Sequence, residues 1–130
     1  MEEIKLQRII YVGIGGGIGA VIRYWVTKQS ANLFNSSIPI GTLIVNVVGG
    51  FLIGMIYELS MSTDLISPNL KLFLTTGIMG GLTTFSTFSY ETISLISDGR
   101  FLLGMTNILL NVFLSLGGVA LATSLCRAII

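Results

Sequence analysis

The chain has 130 residues, of which 52% are hydrophobic and only 10% are charged, and its mean hydropathy is +0.89. A soluble domain of this size would carry about 25% charged residues, so the composition excludes an ordinary water-facing surface. The net charge of +1 argues against nucleic-acid binding, and the absence of histidine removes the commonest general base and transition-metal ligand. We therefore expect an all-α membrane protein that is not an enzyme, with residues 1–130 forming a single membrane domain.

The first apolar segment predicts a membrane-spanning helix over residues 6–28. Two acids open the chain, no small-residue cleavage site follows, and Arg23 stands beside Tyr24 and Trp25 near the end of the segment. These features argue against a cleaved signal peptide and are typical of the interfacial end of a span. Arg23 either extends its head group to the membrane interface or holds an anion at an aqueous vestibule.

The second segment is uncharged and predicts a span over residues 38–57. Ser36 and Ser37 precede Pro39, which is the pattern of a helix start with a serine N-cap and a proline in the first turn. Asn46 lies in the middle of this span, and Thr42 lies one turn earlier on the same helix face. Polar side chains at this depth are costly, so we expect both to face the bundle interior or a water-filled path.

The third segment predicts a span over residues 69–92, starting after Ser67 and Pro68. Its middle is a poor helical stretch, because glycines and β-branched threonines succeed one another. We therefore expect the helix to break near Gly80–Thr83. A break inside a membrane is tolerated where the backbone is buried in protein or lines a cavity, and the freed carbonyl oxygens would suit a monovalent or small divalent metal cation.

Hydroxyl and aromatic side chains follow this break closely. Ser86 and Thr87 stand between Phe85 and Phe88, which are three residues apart and share a helix face. A phenylalanine ring has a positive edge that attracts an anion weakly. The two rings are therefore either ordinary core side chains or weak donors to an anion, and the spacing alone leaves both open.

The fourth segment predicts a span over residues 100–126, after a turn at residues 97–100. Asn107, Asn111 and Ser115 recur at every fourth position, so they line one face of this helix. They serve either as hydrogen-bonding contacts between helices or as the lining of a permeation path. Cys126, the only cysteine, stands in an apolar run and is expected to be a buried inert thiol.

The second, third and fourth uncharged segments contain no carboxylate between their ends, and Glu58 and Glu91 each stand just past the last uncharged residue of a segment. A cation carrier or proton-coupled carrier would normally place an acid inside the membrane. Neutral amide and hydroxyl donors suit an anion instead, because they offer hydrogen bonds without a full positive charge.

Basic residues are nearly balanced between the two sides of the predicted bundle. One side receives Lys5, Arg8, Lys71 and Arg127, and the other receives Lys28, Arg100 and Arg23. Orientation follows the excess of lysine and arginine, so this near tie favours insertion in both orientations and antiparallel pairing of two copies. The alternative is a single orientation set by the amino-terminal charges.

Glycines at the GxxxG spacing recur along three of the four segments. This spacing lets helix backbones approach closely in a membrane, so it predicts a tight bundle through contacts within or between subunits. The pairs are Gly13/Gly17, Gly15/Gly19, Gly50/Gly54 and Gly77/Gly81.

Three stretches of the sequence resemble the CrcB, or Fluc, family of small bacterial fluoride channels. They are GGGIGAVIRYW at 15–25, GTLIVNVVGGFLIG at 41–54 and GIMGGLTTFSTFSYE at 77–91. The resemblance covers essentially the whole chain in length, order and number of spans, and the third stretch is the most diagnostic. It implies a passive, fluoride-selective channel that exports cytoplasmic fluoride and so prevents its toxicity. It also implies a dual-topology, antiparallel homodimer in the lipid bilayer of a bacterial inner (plasma) membrane, with two pathways lined by both protomers.

The resemblance also implies roles for individual residues. Asn46 would donate to fluoride, and Phe85 and Phe88 would face the ion with their ring edges. Gly80 and Thr83 would give main-chain carbonyls to a structural sodium ion at the centre of the dimer interface. Further pathway positions are Arg23 at a vestibule, then Thr42, Ser86 and Thr87 along a polar track, and Asn107, Asn111 and Ser115 in the fourth span.

The fourth span departs from the family pattern, which commonly has a tyrosine followed by serines one and two turns later. Here Asn107 and Asn111 stand at the first two of those places, and Ser115 stands at the third. Amides still donate hydrogen bonds, so we expect conduction to survive the change.

Two other functions are consistent with a small four-helix membrane protein. One is a proton-coupled drug exporter of the small multidrug type, which would need a carboxylate inside the membrane. The other is a non-transporting membrane scaffold, in which the glycine pairs pack helices and the polar stripe holds them together.

Overall fold

A computed structural model describes residues 1–130, and every regular element in it is helical. The expected all-α class is confirmed. In chain order the elements are α1 (Glu2–Leu33), α2 (Ile40–Ser62), α3 (Pro68–Leu72), a π-helical segment (Phe73–Met79), α4 (Gly80–Leu82), α5 (Phe85–Ser97) and α6 (Phe101–Ile129).

Three of these helices, α1, α2 and α6, are long and apolar enough to cross a membrane. The third predicted span is interrupted, since Thr83 and Thr84 separate the helical run 68–82 from α5. A spanning helix needs about 20 residues, so neither part is long enough alone. The structure thus has three unbroken candidate spans, and the third predicted span is present as two helical parts.

The helix starts agree with the sequence at one place and differ at another. Ser67 caps α3, because its Oγ accepts a hydrogen bond from the Leu70 N–H at 3.2 Å and Pro68 occupies the first helical position. The predicted serine cap of α2 is wrong. Ser36 Oγ instead accepts from the Ile38 N–H at 3.1 Å in the preceding turn, and the helix begins at Ile40 with no side-chain cap.

The break in the third helix lies slightly later than its glycines. Residues 80–82 remain helical, whereas Thr83 (φ −82°, ψ 156°) and Thr84 (φ −149°, ψ 120°) are extended. Two β-branched residues in succession favour this backbone. Gly81 has a different task, because a Cβ there would collide with the Gly16 carbonyl oxygen of α1. The glycines therefore allow close packing, and the threonines change the direction of the chain.

The first helix packs on the run 73–82 through glycines on both sides. A Cβ on Gly15 would lie 2.7 Å from the Phe73 carbonyl oxygen and 2.9 Å from the Gly77 Cα. A Cβ on Gly19 would collide with the Ile78 carbonyl oxygen. These approaches leave no room for a side chain, so the expected packing role of these glycines is confirmed.

Gly13 and Gly17 have the same spacing but a different environment. No atom lies within 4 Å of a Cβ built at either position. They therefore pack against nothing within the chain, and the GxxxG spacing alone did not distinguish them from Gly15 and Gly19.

Helices α2 and α6 pack together along Gly50 and Gly54, whose Cβ atoms would each lie 2.9 Å from a main-chain carbonyl oxygen of α6. At one end of this pair the Arg127 Nε lies 2.9 Å from the Glu58 Oε1. Glu58, near the end of α2, is only 5% exposed. It is a buried acid with a basic partner.

Few large apolar side chains are buried within the chain. The core cluster consists of Val45, Ile56, Met79 and Leu82, with partly buried neighbours around it. Most other large apolar side chains are exposed along α1 and α6. Cys126 is buried, as predicted. Such an outward-facing apolar surface fits a membrane protein, because lipid or a second chain can cover it.

Candidate functional site

A cavity of about 490 Å³ lies where α2, the broken helix and α6 meet, and no charged residue lines it. We call it the neutral cavity and define it by Asn46, Thr84, Phe85, Phe88, Asn111 and Ser115. Seven of the residues predicted as functional line it: Asn46, Gly80, Thr83, Phe85, Phe88, Asn111 and Ser115.

Asn46 holds the broken helix by its backbone. Its Oδ1 accepts the Thr84 N–H at 2.8 Å, and its Nδ2 donates to the Thr84 carbonyl at 3.2 Å. Thr84 in turn caps α5, because its Oγ1 accepts the Thr87 N–H at 3.1 Å. The extended residue therefore keeps its hydrogen bonds although it belongs to no helix, as a main chain buried in a membrane must.

Asn46 also begins a chain of hydrogen bonds that runs into α6. Its Nδ2 donates to Asn111 Oδ1 at 3.0 Å, and Asn111 Nδ2 donates to Asn107 Oδ1 at 3.1 Å. Asn107 Nδ2 then donates to Thr92 Oγ1 at 3.0 Å. Asn107 is 1% exposed and does not line the neutral cavity, so the structure joins it to the site through Asn111 only.

The two phenylalanines differ strongly in exposure. Phe85 is 79% exposed and Phe88 is 9% exposed, although both line the neutral cavity. Their ring centroids lie 5.6 Å apart with the planes tilted by 55°, which is a normal distance for an interacting aromatic pair. The expected shared face is confirmed, because the two rings are in contact and both residues line one cavity.

Ser115 contributes a polar group with no partner. Its hydroxyl oxygen is buried and makes no hydrogen bond with the protein. Buried polar groups nearly always have a partner. Ser115 lines the neutral cavity, so this unpaired hydroxyl belongs to a residue of the candidate site.

The break also removes the helical partners of two carbonyls, those of Gly80 and Thr83, which both line the same cavity. In a continuous helix these carbonyls would accept from residues 84 and 87. The Thr84 N–H instead bonds to Asn46 Oδ1 at 2.8 Å, and the Thr87 N–H bonds to Thr84 Oγ1 at 3.1 Å.

A second cavity of about 430 Å³ contains the charged groups, and we call it the charged cavity. It is defined by Arg23, Thr42, Thr87 and Glu91, and Thr84 lines it as well as the neutral cavity. The structure therefore divides the predicted polar track between two spaces. Ser86 lines neither of them, since it is exposed and lies 3.5 Å from the Thr84 hydroxyl.

Arg23 is half-buried and donates from Nε to the Gly81 carbonyl oxygen at 2.9 Å. It satisfies an acceptor left free at the broken helix, so one part of its guanidinium is structural. The remaining N–H groups stay near the charged cavity, which Arg23 lines. The sequence predicted for Arg23 either a position at the membrane interface or a role at an aqueous vestibule, and neither interpretation included this bond to the backbone.

Glu91 is a residue that sequence reasoning did not assign to the site. The Thr42 hydroxyl donates to its Oε1 at 2.6 Å, and both residues line the charged cavity. The sequence analysis noted it only as a carboxylate just past the last uncharged residue of a segment. The signal that would have found it is helical spacing, because Glu91 lies three residues after Phe88 and so shares its side of α5. Thr92, four residues after Phe88, was missed for the same reason.

Comparison with known proteins identifies the family. Residues 10–123 match the model of the CrcB-like protein family, Camphor Resistance (CrcB). The chain belongs to the CrcB family. The predicted membership is thereby confirmed.

Curated CrcB relatives align with nearly the whole chain. A protein of Clostridium novyi (strain NT) is 54% identical over 125 residues, which are 96% of this chain and 98% of the relative. One of Clostridium perfringens (strain 13 / Type A) is 54% identical over 123 residues, covering 95% and 96% of the two chains. One of Geotalea daltonii is 44% identical over 111 residues, covering 85% and 90%. Each of these CrcB relatives is named a fluoride-specific ion channel, FluC.

Proposed function

We propose that this chain is the subunit of a fluoride-specific ion channel through which cytoplasmic fluoride leaves the cell. The observation that carries this proposal is the 54% identity to a fluoride-specific channel over 96% of this chain and 98% of the relative. The relatives are named as channels and not as enzymes, which agrees with the expectation that the chain is no enzyme. The family is bacterial in all the relatives compared, so we place the chain in a bacterial inner membrane.

The neutral cavity supplies the groups that an anion needs. Fluoride must exchange a tight hydration shell for protein donors on its way across the membrane. Ser115, whose hydroxyl has no partner, lines this cavity together with Asn46 and the ring-bearing residues Phe85 and Phe88. None carries a formal charge, so the ion is stabilised without being held too strongly to leave.

Export needs no energy source beyond the ion gradient. Fluoride enters cells in acidic surroundings as the neutral weak acid HF, which dissociates in the less acidic cytoplasm. The inside-negative membrane potential then drives the anion outward, with about 2.3 kcal/mol per charge for each 100 mV. A passive pore suffices for this task.

The path along which the anion crosses the membrane, which we call the ion lane, is completed on this proposal by a second copy of the chain in antiparallel orientation. Phe85 lines the neutral cavity and is 79% exposed, so one wall of the lane is open to the outside of the single chain. The near tie of basic residues on the two sides supports insertion in both orientations. A tag on the carboxyl terminus is labelled from outside in inverted and in right-side-out vesicles. Labelling in both kinds of vesicle supports insertion in both orientations, and labelling in one kind only contradicts it.

A sodium ion at the dimer centre is part of the same proposal. The Gly80 and Thr83 carbonyls lack their helical partners and belong to residues that line the neutral cavity, which supports a hard cation as their ligand. Two antiparallel copies would offer four such oxygens. When bound, the ion would add a positive charge beside the anion lane and tie the broken helices together.

The proton-coupled exporter gains one supporting observation. Glu91 is half-buried within α5, and such a carrier needs an acid inside the membrane. However, the acid accepts from Thr42 and lines the charged cavity, and no acid lines the neutral cavity. The channel proposal therefore explains more of the site.

Purified protein in liposomes separates the three functions. Vesicles loaded with potassium fluoride are made conductive to potassium, and a fluoride electrode records release. Fast fluoride release with negligible chloride release from matched vesicles supports the channel. Proton-dependent uptake of an organic cation supports the exporter, and silence in both assays supports a scaffold.

A further inference from the structure

The Asn46 amide has no free N–H. A primary amide carries two N–H donors, and both have acceptors in the protein. Asn46 Nδ2 donates to the Thr84 carbonyl at 3.2 Å and to Asn111 Oδ1 at 3.0 Å. An anion that binds Asn46 must therefore displace one of these two oxygens.

The polarity of this arrangement is fixed by backbone groups. The Thr84 N–H can only donate, so the oxygen of the Asn46 amide must face it, at 2.8 Å. The Asn107 main-chain carbonyl can only accept, so the nitrogen of the Asn111 amide must face it, at 3.0 Å. The oxygen of Asn111 is then left to face Asn46. No exchange of oxygen and nitrogen in either amide preserves these bonds.

The far end of the chain of hydrogen bonds is anchored in the same way. Asn107 Nδ2 donates to Thr92 Oγ1 at 3.0 Å, and the Thr92 hydroxyl donates to the Phe88 carbonyl at 2.8 Å. Asn111 is 5% exposed and Asn107 is 1% exposed, so water does not compete for these groups. Both amides of α6 are thus locked with their donors pointing away from the ion lane.

We propose that Asn111 is a positioning residue that occupies an N–H of Asn46, and that an anion binds Asn46 by displacing the Asn111 Oδ1. Thr84 is the poorer candidate for displacement, because it is joined to Asn46 by two hydrogen bonds and Asn111 by one. The inference rests on the proposed function for the identity of the anion, fluoride.

Removing the competing oxygen should strengthen fluoride binding. Asn111→Ser and Asn111→Ala both delete the acceptor of Asn46, while the two bonds to Thr84 still hold the Asn46 amide in place. The net value of a neutral hydrogen bond corresponds to about threefold to tenfold in an equilibrium constant. The fluoride concentration at half-saturation should fall by that factor in both variants. A direct ligand role for Asn111 predicts the opposite, a higher concentration.

The test uses the full chain in detergent with ¹⁵N-labelled asparagine, of which there are six, so the side-chain amide signals are few. Fluoride is titrated into wild type, Asn111→Ser and Asn111→Ala, and the midpoint of the Asn46 amide shift is measured. The matched control is Asn32→Ser, the same change at an exposed position of α1. Fluoride release from liposomes is recorded for each protein.

In both Asn111 variants we expect the Asn46 signal to be shifted from its wild-type position before fluoride is added. We expect the midpoint of the fluoride titration to fall about threefold to tenfold. Asn32→Ser should match wild type in both respects. The inference is overturned if the Asn111 variants have a wild-type-like spectrum and their titration midpoint is unchanged or raised. It is also overturned if the wild type conducts fluoride while its Asn46 signal does not respond to the ion. A wild-type protein that releases no fluoride overturns the proposed function instead.

Discussion

The neutral cavity and the charged cavity share Thr84 in their linings, yet they treat polar groups differently. In the charged cavity the polar groups are matched inside the protein, since Thr42 donates to Glu91 and Arg23 donates to the Gly81 carbonyl. In the neutral cavity the Ser115 hydroxyl and the carbonyls freed at the break have no such match. On the proposed function, the neutral cavity with its unmatched groups would bind the desolvated ion, and the charged cavity would attract ions from water.

The largest expected effect comes from placing a charge in the neutral cavity. Asn46→Asp adds a negative charge and removes both N–H donors, so it should lower fluoride release on the order of a hundredfold to a thousandfold, because like charges about 4 Å apart repel by about 4 kcal/mol at the effective dielectric of such a site. The liposome assay measures this. The matched control is Asn32→Asp at an exposed position, and equal rates in the two variants would remove Asn46 from the lane.

A smaller effect is expected from the packing that supports the break between the cavities. Gly19→Ala places a Cβ against Ile78 and Leu82, and overpacking of this kind costs about 1–3 kcal/mol. The temperature at which the protein loses its monodisperse size-exclusion peak in detergent should fall. Gly17→Ala, on the same helix with no atom within 4 Å of its Cβ, should leave that temperature unchanged. Equal losses in both would mean that close packing is not the cause.

Replacing either ring of the aromatic pair should lower fluoride release by about tenfold. Phe85→Ile and Phe88→Ile keep most of the apolar volume but remove the polarised ring edge, which is worth about 0.5–1.5 kcal/mol beyond its area. Fluoride release should fall with the size-exclusion profile unchanged. Phe113→Ile, an exposed position of α6 outside both cavities, serves as the control. Wild-type rates in both cavity variants would return these rings to an ordinary packing role.

The smallest effect is expected in the charged cavity. Arg23→Gln removes a positive charge that raises the local anion concentration, so release at low ionic strength should fall a few-fold and the difference should shrink as salt screens the charge. Arg23→Lys keeps the charge and should show a smaller loss with the same dependence on salt. A loss in Arg23→Gln that does not change with salt would assign the residue to its bond with Gly81 alone.

Much of the fold was predictable from local patterns. Apolar stretches separated by charged residues predicted where the helices lie. The β-branched residues that follow glycines predicted the position of the break to within a few residues. The choice among the glycine pairs was not predictable, because it depends on which side of α1 meets the broken helix, and Gly13/Gly17 and Gly15/Gly19 have identical spacing.

The candidate site was predictable in membership more than in arrangement. Helical spacing and the family resemblance together named seven residues that line one cavity. The bonds of Asn46 to Thr84 and Asn111 join residues 38 and 65 positions apart, and no local pattern contains them. The place of Glu91 in the charged cavity was not predicted because a count of uncharged residues treats a charge as a boundary, whereas Thr42 offers that charge a partner within the bundle.

The π-helical segment Phe73–Met79 sets the rotational register of everything that follows it. Each residue of an α-helix turns the chain by about 100°, so deleting one residue here would turn Gly77 and Gly81 away from α1 and carry the carbonyls of the break with them. Length in this stretch is therefore under tighter constraint than composition. Among CrcB sequences, gaps between Pro68 and Gly81 should be far rarer than gaps in the turns, and substitutions there should be common by comparison.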